Sequence, residues 1–104
     1  MTFTDDQITN ICQQAVDTYG KDSQFEMVVE ECAELIQAVQ KVKRSRGGLE
    51  TLLEIDGLID EIADVEIMLH QLRYLIGDTR IDKQKAVKLE RLQARLNKVN
   101  TTKA

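Results

Sequence analysis

Val28-Val29-Glu30-Glu31-Cys32-Ala33-Glu34-Leu35 returns thirty positions later as Leu58-Ile59-Asp60-Glu61-Ile62-Ala63-Asp64-Val65. The two stretches match class by class: two apolar residues, two acids, an apolar residue, an alanine, an acid and an apolar residue. Each copy carries acids three apart, Glu31 with Glu34 and Glu61 with Asp64, which is close to one helical turn. The two copies therefore predict two long helices, and antiparallel pairing would set one acid pair against the other.

Working outward, the rest of the chain is helical in pattern too. Thr4 with Gln7 forms a capping box for a first helix through Ile8, Ile11, Cys12, Ala15 and Val16, which Gly20 stops. Ser23 with Glu26 predicts a second box, opening a helix over about 24–45 with Phe25, Val28, Val29, Cys32, Leu35, Ile36, Val39 and Val42 as its apolar stripe. Gly47-Gly48 breaks it, and 47–55 reads as a connection with at most a short helical turn. A third helix over about 56–76 carries the stripe Ile55, Leu58, Ile59, Ile62, Val65, Leu69, Leu72 and Ile76, and ends at Gly77. Thr79 with Asp82 can cap a fourth to about residue 98.

The composition agrees: no proline, no tryptophan, two Phe and two Tyr leave little for a sheet to use. A chain of 104 residues holds one domain. The expectation is an all-α, four-helix bundle-like fold with antiparallel neighbours. Its core spans about 5–98, with 99–104 a frayed tail. Helices with apolar residues on both sides point further to an oligomer, a dimer or tetramer.

A net charge of −4 opposes nonspecific nucleic-acid binding. No apolar run approaches the ~20 residues that span a bilayer, and the first residues lack a signal-peptide pattern. These features suggest a cytoplasmic protein without membrane or nucleic-acid partners. Cys12 and Cys32 stand far apart and outside any Cys-x-x-Cys pair, so they read as small reduced residues.

The acids carry the functional signal. Asp22, Glu26, Glu30, Glu31 and Glu34 occur with no Lys or Arg between residues 22 and 40. The acids from Glu50 to Glu66 likewise occur with no Lys or Arg between residues 47 and 72. Exposed helices usually place lysines four residues after glutamates; here such partners are missing, and clustered carboxylates repel unless a cation bridges them. On a helical wheel Glu31 and Glu34 share a side with Met27 and Ala38, and Glu61 and Asp64 with Gly57, Met68 and Leu75. Small or apolar neighbours mean that something packs there. Four carboxylates suit a hard divalent ion, Mg2+ or Mn2+. A single such acid pair would be ordinary solvated surface. A di-iron carboxylate site needs Glu-x-x-His pairs, and the one histidine, His70, falls away from the acids.

Glu30-Glu31-x-x-Glu34 followed by Glu61-x-x-Asp64 resembles the signature of the MazG-like, all-α nucleoside triphosphate pyrophosphohydrolases. The likeness runs from roughly Tyr19 to Leu96 and is greatest to short, single-domain members from Gram-positive bacteria and their phages. Glu61-Ile-Ala-Asp-Val-Glu-Ile-Met-Leu and Lys88-Leu-Glu-Arg-Leu carry it further. The resemblance implies a hydrolase that uses Mg2+ (or Mn2+) to cleave a (deoxy)nucleoside triphosphate to monophosphate and pyrophosphate, in nucleotide-pool housekeeping. It implies Glu31, Glu34, Glu61 and Asp64 as metal ligands, and Glu30 and Glu34 as catalytic carboxylates. Lys88 and Arg91 become the implied phosphate contacts, and a homo-oligomer the implied assembly. The alternatives are a non-catalytic helical interaction module and a nucleotide sensor with the same fold.

Overall fold

The first helix starts where its capping box places it. The Thr4 N–H donates to Gln7 Oε1 at 2.9 Å and the Gln7 N–H to Thr4 Oγ1 at 3.1 Å. The computed structural model describes residues 1–103, and these form four helices: α1 (Asp5–Tyr19), α2 (Lys21–Arg44), α3 (Gly48–Ile76) and α4 (Asp78–Lys103). No strand occurs among the described residues. No helix is long and apolar enough to cross a membrane.

Four boundaries differ from the sequence expectation, one of them the start of α4, which begins at Asp78 and so takes Thr79 inside the helix rather than as its cap. Gly20 both ends α1 and precedes α2, so Ser23 lies inside the second helix and caps nothing. The connection expected over 47–55 shrinks to Ser45–Gly47, with α3 already under way at Gly48. Gly47 and Gly48 have φ of 93° and 62°, values costly for other residues, and this permits so short a turn. Thr51 fastens it: its hydroxyl accepts the Gly47 N–H at 2.9 Å and lies 2.8 Å from Ser45 Oγ. Finally, α4 continues past residue 98 to Lys103. The Thr101 and Thr102 hydroxyls donate to the Asn97 and Lys98 carbonyls at 2.7 and 2.9 Å. Ala104, the end of the expected frayed tail, lies outside the described residues. At the head of α4, Asp82 accepts from Arg73 at 2.7 Å, as Asp78 does at 3.2 Å.

α2 and α3 form the principal pair, and they run antiparallel: Lys41 lies near Glu54, Glu34 near Glu61, and Met27 near Gln71. α1 packs on both, burying Cys12 and Val16. The Cys12 thiol makes a long contact of 3.9 Å to the Ile67 carbonyl, and Tyr74 donates to Asp17 at 3.3 Å. Cys12 and Cys32 are both free thiols. α4 touches only α3 and buries none of its described residues. The radius of gyration, 17.6 Å, reflects that projection; a closed domain of this length would have about 13 Å.

The faces that pack are not the most apolar ones. α2 turns Gln24, Val28, Glu31, Leu35 and Ala38 inward, and α3 turns Leu58, Glu61, Val65 and Met68 inward. Much of the expected stripes, including Val29, Ile36, Ile59, Ile62 and Leu69, stays exposed. Ala38 and Gly57 share one wall where the helices meet. Ala38 is buried there, whereas Gly57 stays exposed with open space beside it.

An acidic cleft between the paired helices

Because α2 and α3 are antiparallel, acids one turn apart on each are brought into register. Carboxylate oxygens of Glu31, Glu34 and Glu61 lie within 4.8 Å of one another, and so do those of Asp60, Glu61 and Asp64. Glu61 belongs to both groups. To one side, Glu34 and Glu61 with Gln37, Ala38, Lys41, Glu54 and Gly57 line a cleft of about 350 Å3. To the other, Glu31 and Asp64 with Met27, Ile67, Met68 and Gln71 line one of about 140 Å3. The acids are thus the shared wall of two openings with different chemistry, the larger polar and the smaller walled by methionine and isoleucine.

The acids are short of counter-charge. Arg73 makes the ion pairs found among the described residues, to Asp78 and Asp82, and Lys41 alone of the cations borders the larger cleft. Glu31 and Glu61 are half-buried, and one oxygen of each is shielded from water with no donor from the protein. Burial, then the charges of Asp64, Glu34 and Glu61, push the Glu31 carboxyl up to about 7. Glu61 is raised as well, chiefly by burial and then by Glu34. A proton on Glu31 is placed to bridge to Glu61. A shared proton or a cation is what this geometry can accept. Oxygen donors of this number and charge, two of them buried and unpartnered, fit a hard divalent ion such as Mg2+.

Of the expected site residues, Glu31, Glu34, Glu61 and Asp64 come together. Glu30 does not join them: it is exposed and belongs to neither carboxylate group nor either cleft, being rotated about 100° from Glu31. Asp60, its counterpart in the repeat, does join, so α3 supplies more of the cluster than α2. Lys88 and Arg91 are exposed on α4, and neither lines an acidic cleft. Lys88 borders a separate, largely apolar groove with Ile81, Leu89 and Leu92. His70 is exposed, away from the acids.

Gln37, Lys41 and Glu54 line the larger cleft without having been among the expected site residues. Their signal was spacing, since Lys41 follows Glu34 by seven residues and Glu54 precedes Glu61 by seven. Two helical turns return a side chain to the same face.

No protein-family model, curated protein or solved structure matches the chain.

Proposed function

We propose that this chain is a Mg2+-dependent nucleoside triphosphate pyrophosphohydrolase of MazG-like type, converting a (deoxy)nucleoside triphosphate to monophosphate and pyrophosphate. The observation that carries the reading is the convergence of Glu31, Glu34, Glu61 and Asp64 from two antiparallel helices, with buried carboxylate oxygens that no protein donor satisfies. Mg2+, or Mn2+, held by these four would offset phosphate charge and make an attacking water more acidic. Glu34 is exposed and lines the larger cleft, which supports a role for it as the base that takes a proton from water. Lys41 can pair with a phosphate there, and the polar cleft can orient the triphosphate between α2 and α3. Glu30 takes no direct part in this account; its place on the outer flank of α2 suits an indirect one. Lys88 and Arg91 would have to reach the substrate from α4 of another chain, in keeping with a dimeric or tetrameric bundle in the cytoplasm.

A second reading has support from the same geometry. The small number of cations at the cleft favours a sensor that binds nucleotide without turnover. The test is incubation with a panel of nucleotides and Mg2+, with and without Glu34→Gln and Asp64→Asn. Pyrophosphate from the native chain and none from the variants supports hydrolysis. Binding by calorimetry without product would establish the sensor instead.

A further inference from the structure

The smaller opening holds a group that metal binding does not use. Gln71 lines it while only 6% exposed, and its Oε1 has no hydrogen-bond donor. Gln24 is 1% exposed, and its Oε1 is equally without a donor. The register that sets Lys41 by Glu54 and Glu34 by Glu61 steps on by whole turns to Met27 by Met68, and one turn further to Gln24 by Gln71. Two buried amides therefore stand opposite each other across the α2–α3 seam, and neither satisfies the other's oxygen. Folded proteins rarely bury an amide oxygen without a donor, because the desolvation cost goes unrecovered. Methionine in either place would fill a similar volume without that cost.

The walls define what fits beside Gln71. Met27, Ile67 and Met68 bound an opening of about 140 Å3, with Glu31 and Asp64 on the side of the metal-binding acids. Ordinary small-molecule pockets begin at about 300 Å3, so this one suits a single ring and not a fused pair. Thioethers adapt to the shape of a guest and make favourable contacts with flat π-systems. The amide adds a donor and an acceptor side by side. A flat single ring with a hydrogen-bonding edge meets all three conditions.

We infer that the smaller cleft is a nucleobase subsite selective for pyrimidines, with Gln71 reading the edge of the base and Met27 and Met68 holding its faces. This rests on the proposed use of nucleoside triphosphates and adds which of them the site takes. The base lies by Gln71, and the phosphates run past Glu31 and Asp64 toward Lys41 in the larger cleft. Turning the amide over exchanges its donor and acceptor. It then accepts from the N4 amino group of cytosine or donates to O4 of uracil or thymine, so the single-ring limit governs selectivity. Gln24 is a positioning residue, since its own amide can present either atom to the side of Gln71 that the base leaves free.

Calorimetric titration in Mg2+ tests this with the triphosphates of cytidine, uridine, adenosine and guanosine, and with inorganic triphosphate as the probe that has no base. The native chain should bind the two pyrimidine nucleotides at least about tenfold tighter than the purine ones. Gln71→Met should weaken the pyrimidine nucleotides by about tenfold or more and leave inorganic triphosphate unchanged, a split that a merely structural role would not give. Should that variant lose its helical circular dichroism, Met27→Ala serves instead, at a position already 39% exposed. It too should weaken the pyrimidine nucleotides and spare inorganic triphosphate. Equal affinity for purines and pyrimidines, no affinity for either, or inorganic triphosphate weakened as much as the nucleotides overturns the inference. Product analysis separates it from the reading it rests on. Pyrophosphate released equally from all four nucleotides, with Gln71→Met no slower, keeps the hydrolase and removes the subsite. Pyrimidine-selective binding with no product keeps the subsite and removes the hydrolase.

Discussion

Mg2+ should stabilise this protein, and do so with a pH dependence set by Glu31. In the metal-free chain the Glu31 carboxyl is raised to about 7 by burial and by Asp64, Glu34 and Glu61. A carboxyl whose folded value exceeds its unfolded one favours the folded state while protonated. That advantage is complete below the ordinary value of 4.5 and is lost as pH rises through about 7. Metal-free protein should therefore melt at progressively lower temperature across that window. Mg2+ needs the ionised form, so a proton competes with it. About nine-tenths of Glu31 is ionised near pH 8 and about one-tenth near pH 6, so apparent affinity should fall about tenfold between them. At ten times the dissociation constant measured near pH 8, binding contributes about 1.4 kcal/mol. With about 2.1 cal/mol/K of unfolding entropy per residue, that raises the melting temperature by about 6 °C. The same Mg2+ concentration near pH 6 should give only about 2 °C. Differential scanning calorimetry reads both. An equal shift at the two pH values would refute the coupling to Glu31, and no shift at either would remove the metal site.

Glu61→Gln removes a charge from both carboxylate groups, so it should raise the melting temperature of the metal-free protein near pH 8 and abolish the Mg2+ shift in the same calorimeter. Gly57 lies inside α3 with open space where a Cβ would go. Gly57→Ala should therefore stabilise the fold by about 1 kcal/mol, visible as a higher urea midpoint at an unchanged slope. Lys41→Met should raise the KM for the nucleoside triphosphate about tenfold or more by loss of a phosphate contact in the larger cleft. If steady-state kinetics leave KM unchanged, the substrate does not lie along that cleft.

The helices and the acid cluster were legible in the sequence for the same reason: both rest on period. A repeat shifted by thirty residues specified two similar helices, and three-residue spacing specified which carboxylates would share a face. The packing face was less legible. Counting aliphatics selects Ile36, Ile59 and Ile62 along with Val28, Leu35, Leu58 and Val65; the pair closes through the latter four, joined by Ala38 and Met68, and leaves the first three exposed. Helical period marks a face as apolar, but it gives no sign of which stripe meets the chain's own partner helix and which is left over. The start of α3 was hidden by Gly47-Gly48, read as a break when its positive φ values build a tight turn. Glu30 came from the resemblance, and it faces away from the cluster because one residue along a helix is about 100° of rotation. Lys88 and Arg91 came from resemblance, which specifies residues without saying which chain's cleft they approach.

If Glu31, Glu34, Glu61 and Asp64 serve pyrophosphohydrolysis, a nucleoside triphosphate breaks at the bond between its α- and β-phosphates and at no other. Phosphorus NMR on a nucleoside triphosphate incubated with the protein and Mg2+ decides which bond breaks, because each product has its own resonances. Nucleoside monophosphate and pyrophosphate in equal amounts, lost on Asp64→Asn, is the expected result. Nucleoside diphosphate with orthophosphate, or a triphosphate left intact across all the common bases, would contradict it.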